Sequence, residues 1–114
     1  MIVGVGIDVV DIDRFKQSLE RTPGLERKLF TQKERMKSIQ SLAARFAAKE
    51  ALIKALNAEN GILWHEAEVM NLESGKPAFV FYGAVADLVH GMNVHVSISH
   101  DAGISTAIAI VEHK

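Results

Sequence analysis

The chain has 114 residues, of which 48% are hydrophobic and 24% charged, with a formal net charge of −1 and no cysteine. That balance gives no global attraction to nucleic acid or to an anionic membrane, and the missing thiols exclude disulfides, thiolate metal sites and a cysteine nucleophile. The length fits one domain; it can bury a core but leaves little material for a deep private pocket, so a large ligand would favour a site shared between subunits.

In chain order, residues 2–10 are rich in β-branched side chains and predict a buried strand. This opening lacks the basic leader and cleavage site of a signal peptide and is too short to span a bilayer, so the cytoplasm is the expected location. Asp11 is placed to cap a helix with Ile12, Phe15 and Leu19 on one face, ended by Pro23-Gly24. Thr31 and Glu34 have capping-box spacing and start a second short helix. A long alanine-rich helix covers about 41–58 and closes near Asn60-Gly61. Strands are predicted over 67–72 and 77–82 around a turn at 73–76, then a short helix over 84–90. A last hairpin, 93–100 and 104–111, turns at Asp101-Ala102-Gly103. The pattern is one α+β domain over 1–114, a small sheet with antiparallel final strands packed against one long and several short helices.

Chemistry concentrates at a few residues. Ile2, Gly4, Gly6 and Asp8 share one strand face, and two glycines beside a carboxylate leave open backbone of the kind a ligand approaches. Asp8 is equally suited to ending the strand. On the long helix, Ile39, Leu42, Ala43, Phe46 and Ile53 form an apolar stripe that includes Glu50. An acid there needs a partner or a metal, and Lys54 at i+4 can supply a structural ion pair. Taken together, Asp8 and Glu50 suit a hard divalent cation held by one or two carboxylates, waters and a substrate's phosphates, with adjacent lysines neutralising phosphate oxygens.

Residues 95–101 bring Ser97 and Ser99 onto one strand face with His100 at the end. Ser99, His100 and Asp101 cannot converge as a triad, because neighbouring strand side chains point to opposite faces. Gly4-Val5-Gly6 is not a dinucleotide fingerprint, the histidines lack zinc spacing, and Trp64 reads as core or subunit contact. The first third is basic, from Arg14 through Arg21 and Lys28 to Lys37. That stretch is either a solvated face or a surface for an acidic partner.

Gly6-Ile7-Asp8-Val9-Val10 with Arg14-Phe15, and above all Phe46-Ala47-Ala48-Lys49-Glu50-Ala51-Leu52-Ile53-Lys54-Ala55, resemble the motifs of holo-acyl-carrier-protein synthases. Phe30-Thr31, Gly75-Lys76-Pro77 and His95 to His100 fall in the same order, so the resemblance runs along nearly the whole chain. It implies the 4′-phosphopantetheinyl transferase fold and a homotrimer with coenzyme A bound between subunits. By the same resemblance, Asp8 and Glu50 hold Mg2+, with Mn2+ as an alternative, and Lys54 contacts the transferred phosphate. Arg45, Lys49, Gly75, Lys76, Pro77 and His100 surround the nucleotide and its phosphates. Arg14, Arg21 and Lys28 receive the acidic helix of apo-acyl carrier protein. The implied reaction is attack of the carrier serine on the β-phosphorus of coenzyme A with loss of 3′,5′-ADP, in support of fatty acid biosynthesis, without nucleic acid or membrane. Two departures stand out. Residues 57–62 carry one glycine where the family has a glycine-rich loop, and Glu66-Ala67-Glu68 replaces an aspartate-isoleucine-glutamate pattern. A binding module that captures nucleotides or an acidic protein, and a purely structural subunit, are the competing readings.

Overall fold

The computed structural model describes residues 1–58 and 60–114. Strand β1 (Ile2–Asp11) runs straight into helix α1 (Ile12–Arg21), because extended Asp11 turns its Oδ1 back to accept from the Arg14 N–H at 2.9 Å. Helices α2 (Leu25–Leu29) and α3 (Gln32–Arg35) lead to the long α4 (Ile39–Leu56). A 3₁₀ turn at Trp64–Glu66 precedes the hairpin β2 (Ala67–Asn71) and β3 (Pro77–Phe81), then α5 (Gly83–Leu88) and the hairpin β4 (Met92–Asp101) and β5 (Ile104–His113).

Local chemistry explains most of these limits. The capping box at α3 is complete: Thr31 Oγ1 accepts from the Glu34 N–H and Glu34 Oε1 from the Thr31 N–H, at 3.3 and 3.0 Å. Helix α4 starts before residue 41 because Ser38 caps it, accepting from the Ser41 N–H at 3.2 Å. It ends at Leu56, short of the expected glycine, because Asn57 takes the left-handed conformation at φ 53°. Helix α2 was not predicted, since five residues are too few to show a period.

The main sheet is antiparallel in the order β1-β5-β4, and β2-β3 forms a separate ribbon. Helix α4 lies across the main sheet, and the core gathers there around Phe15, Phe30, Leu42, Leu52 and Val111. The contact between α4 and β1 differs from both expectations. The space above Gly4 and Gly6 is filled by the helix backbone and not by a ligand. A Cβ at Gly4 would lie 1.7 Å from the Ala55 carbonyl oxygen, and one at Gly6 1.9 Å from that of Ala51. The buried face of α4 is correspondingly its small one, with Ala43, Ala47, Ala48, Ala51 and Leu52 fully enclosed. Phe46, Glu50 and Ile53 are only half-buried. Glu50 therefore stands at the border of the packed face, where a counting of large apolar residues had put it inside.

The two surfaces stay in step because two strand residues advance about 6.6 Å and four helix residues about 6 Å. The opposite sheet face has no cover within the chain. Val5, Ile7 and Val9 are 55–63% exposed there, in a row beside Ile108 of β5. Replacing Gly6 with alanine should force the helix off the strand and lower stability by about 3 kcal/mol, measured by urea unfolding. A loss below about 0.5 kcal/mol, the scale of a neutral surface change, would show that the close approach is not needed.

Candidate active site

The register set by the glycines carries Asp8, two residues beyond Gly6, to the part of α4 that presents Glu50 and Lys54. Asp8, Glu50 and Lys54 line one cleft of ≈ 730 Å³ together with Arg14 and Lys28. Lys54 Nζ donates to Asp8 Oδ1 at 3.1 Å and to the Ile7 carbonyl at 2.9 Å. The lysine thus pairs with Asp8 across the tertiary contact, although i+4 spacing pointed to Glu50. Its side chain is 53% exposed, so this ion pair is weakly held and exchangeable. Burial, and then the charge of Asp8, push the Glu50 carboxyl above its ordinary value, with Lys54 opposing. Two crowded acids of this kind are stabilised by a cation.

The donor set fits magnesium chemistry. Two carboxylates share the cleft, and among the described residues no group of three or more His, Asp or Glu side chains is placed to hold a metal ion, so the acid pair is the whole of the protein's donor set there. Mg2+ is commonly bound in this open manner, with waters and phosphates completing its shell.

The far side of the cleft is apolar, and sequence reasoning missed it. Phe15, Leu25, Leu29, Phe46 and Trp64 line it. Phe46 stacks between Phe15 and Trp64, with ring centroids 5.1 and 5.5 Å away. These residues come from α1, α2, α4 and the 3₁₀ turn, so no periodicity within one element reveals them; Trp64, read from sequence as core or contact, is half-buried at the opening.

A second cleft of ≈ 370 Å³ collects Arg45, Gly75, Pro77 and His100 beside Ser41. Arg45 is 5% exposed, and its guanidinium holds the β2-β3 ribbon onto α4. Nε donates to the Val69 carbonyl at 3.2 Å, Nη2 to Asn71 Oδ1 at 3.0 Å, and Nη1 to Ser41 Oγ. Lys76 is exposed at the β2-β3 turn, and Arg21 is exposed at the end of α1, outside both clefts.

Lys49 departs from its expected place around the nucleotide. It is 0% exposed, and its ammonium is consumed by the Leu29 carbonyl, Glu34 Oε1 and the Trp64 carbonyl at 2.7, 2.6 and 3.1 Å. Facing the core one residue before Glu50, it cannot reach a ligand in either cleft. Desolvation pulls its ammonium below the ordinary lysine value, and Glu34 offsets this only in part.

Comparisons with known proteins identify the family and the fold. The model of the 4′-phosphopantetheinyl transferase superfamily matches residues 4–107. The holo-[acyl-carrier-protein] synthase of Leifsonia xyli is 53% identical over 115 residues, covering 98% of both chains. The acyl carrier protein synthase of Mycobacterium tuberculosis superposes with a TM-score of 0.83 at 34% identity, covering 100% of each chain. The holo-(acyl-carrier-protein) synthase of Bacillus anthracis, solved in complex with CoA (3′,5′-ADP), gives 0.81 at 30% identity over 100% of this chain and 99% of its own.

The raised Glu50 carboxyl has a testable consequence. A proton binds it more readily in the folded protein than in the unfolded chain, so its stabilising share is full below pH 4.5 and is lost as pH rises through the raised value. Glu50→Gln should therefore raise the metal-free Tm at neutral pH by about 1–3 °C, discounted for solvent screening. The gain should disappear under acid conditions. A lowered Tm at neutral pH would show that the ionised pair is not strained.

Proposed function

The chain belongs to the 4′-phosphopantetheinyl transferase superfamily, among the holo-[acyl-carrier-protein] synthases, and from that premise we propose that it transfers 4′-phosphopantetheine from coenzyme A to a serine of apo-acyl carrier protein. The observation that carries this reading is the meeting of Asp8, Glu50 and Lys54 in one cleft. Residues 1–114 act as one transferase domain. Asp8 and Glu50 hold Mg2+, with Mn2+ as a substitute; once bound, the ion supplies charge neutralisation at the phosphates.

The chain's own groups do the rest. Lys54 leaves Asp8 and turns its ammonium to the phosphate under transfer, a short move for an exposed side chain. Glu50, lining the cleft beside Lys54, is placed to take the serine proton. The serine oxygen bonds to the β-phosphorus as the bond to the departing 3′,5′-ADP breaks. Little covalent work falls to the protein beyond positioning and charge stabilisation. The carrier docks on the basic side of the cleft through Arg14 and Lys28, with Arg21 further along α1. Its holo form then serves fatty acid biosynthesis in the cytoplasm. No helix among the described residues is long and apolar enough to cross a membrane.

The site is completed between subunits. The acid pair lies in one cleft, whereas Gly75, Pro77 and His100 lie in another. The exposed row of Val5, Ile7 and Val9 offers an apolar face for further copies of the chain. A homotrimer closed through this face sets the second cleft of one copy against the first cleft of its neighbour. Arg45 then serves the nucleotide indirectly, by shaping the ribbon that carries Gly75 and Pro77, and exposed Lys76 reaches phosphates from the turn.

Two measurements test this. Incubation with coenzyme A, Mg2+ and apo-acyl carrier protein should add the mass of one phosphopantetheine group to the carrier. An unchanged carrier, under conditions where a known synthase works, would remove the proposal. Glu50→Gln and His100→Glu should each be inactive alone, whereas co-refolded mixtures should regain about a quarter of wild-type turnover, the random-pairing share for a site split between neighbours. No recovery would place the complete site within one chain.

A further inference from the structure

A lysine that reaches neither cleft still bears on the first one. Lys49 Nζ has three protons and three acceptors. Only one acceptor, Glu34, carries charge; the other two are the backbone carbonyls of Leu29 and Trp64. Both of those residues line the apolar side of the cleft that holds Glu50. They belong to segments with little structure of their own. Helix α2 has five residues, and the turn at Trp64–Glu66 has three. The Leu29 carbonyl is among those a helix end leaves without an internal partner, and a cation is the favoured group to satisfy it.

Glu34 extends the tie in the other direction. Its Oε1 also accepts from the Thr31 N–H at 3.0 Å, and its Oε2 from the Val69 N–H at 2.9 Å. One enclosed pair, with Lys49 and Glu34 at 0% and 1% exposure, therefore joins α2, α3, α4, β2 and the 3₁₀ turn. Replacing such a pair with apolar groups of similar volume is often neutral or stabilising, so stability alone does not explain keeping it here.

We infer that Lys49 is a positioning residue: by fixing the Leu29 and Trp64 carbonyls it holds the apolar wall of the cleft at a set distance from Glu50, and with it the path of the pantetheine arm. The identity of the arm rests on the transferase reading above; the wall and its anchor do not. Trp64, whose ring stacks on Phe46 one turn before Glu50, is the element through which a shift of the wall reaches the reacting groups.

Trp64 is the only tryptophan of the chain, so its fluorescence reports on this wall alone. The test uses the full chain carrying Lys49→Met with Glu34→Gln, which removes both charges together and leaves no unpaired ion. In the folded double variant, acrylamide quenching of Trp64 should at least double. Turnover should fall about tenfold or more, because small misplacements near reacting groups are amplified, while the KM for coenzyme A stays within about threefold. If the double variant does not fold, Lys49→Arg, which keeps a charge opposite Glu34 but changes the reach to both carbonyls, is measured the same way. A folded variant with unaltered quenching and unaltered turnover overturns the inference and leaves Lys49 a core ion pair. If the wild type transfers nothing to the carrier, the transferase reading fails by itself, and the quenching measurement still decides the role of the anchor.

Discussion

The close seating of α4 on β1 is the constraint from which the rest of this molecule follows. Gly4 and Gly6 offer bare backbone, and the helix answers with Ala51 and Ala55, so the two backbones approach to a distance at which no Cβ fits between them. Strand and helix then advance in matching steps. That match is what delivers Asp8, at the far end of the strand, to the same cleft as Glu50 and Lys54.

Charge is sorted on either side of this contact according to solvent access. At the cleft, Lys54 is half-exposed and bound to Asp8 by a single ion pair that water and salt can replace. Desolvation and its acidic neighbour push the Glu50 carboxyl above its ordinary value. One residue earlier in the sequence, Lys49 points inward and has every proton occupied. Adjacent residues on a helix are separated by about 100°, and that rotation is enough to give neighbouring lysine and glutamate unrelated environments. The exchangeable pair suits ligand binding, and the enclosed pair suits a fixed frame.

Size limits what the chain can do alone. Its principal sheet has three strands, one face taken by α4 and the other left apolar at Val5, Ile7 and Val9. The residues gathered near Glu50 and those gathered near His100 occupy separate concavities. A domain this short has little material left for a deep pocket of its own. The proposed assembly through the uncovered face would meet both needs together.

Much of this was legible in the sequence. The caps at Asp11 and Thr31 and the final hairpin depend on neighbours a few residues away, where alternation, helical period and capping geometry operate. The signature around Phe46 to Ala55, together with four further motifs in the same order along the chain, named the family before any coordinates. What the tertiary structure alone decided were the pairings made across elements: that Lys54 reaches Asp8 and not Glu50, that Lys49 is enclosed by Glu34, Leu29 and Trp64, and that the glycines face a helix. Sequence patterns register which face a side chain occupies, but they carry no distance between segments far apart in the chain. Those distances are set by how closely two surfaces pack, and here that closeness comes from side chains that are small or missing.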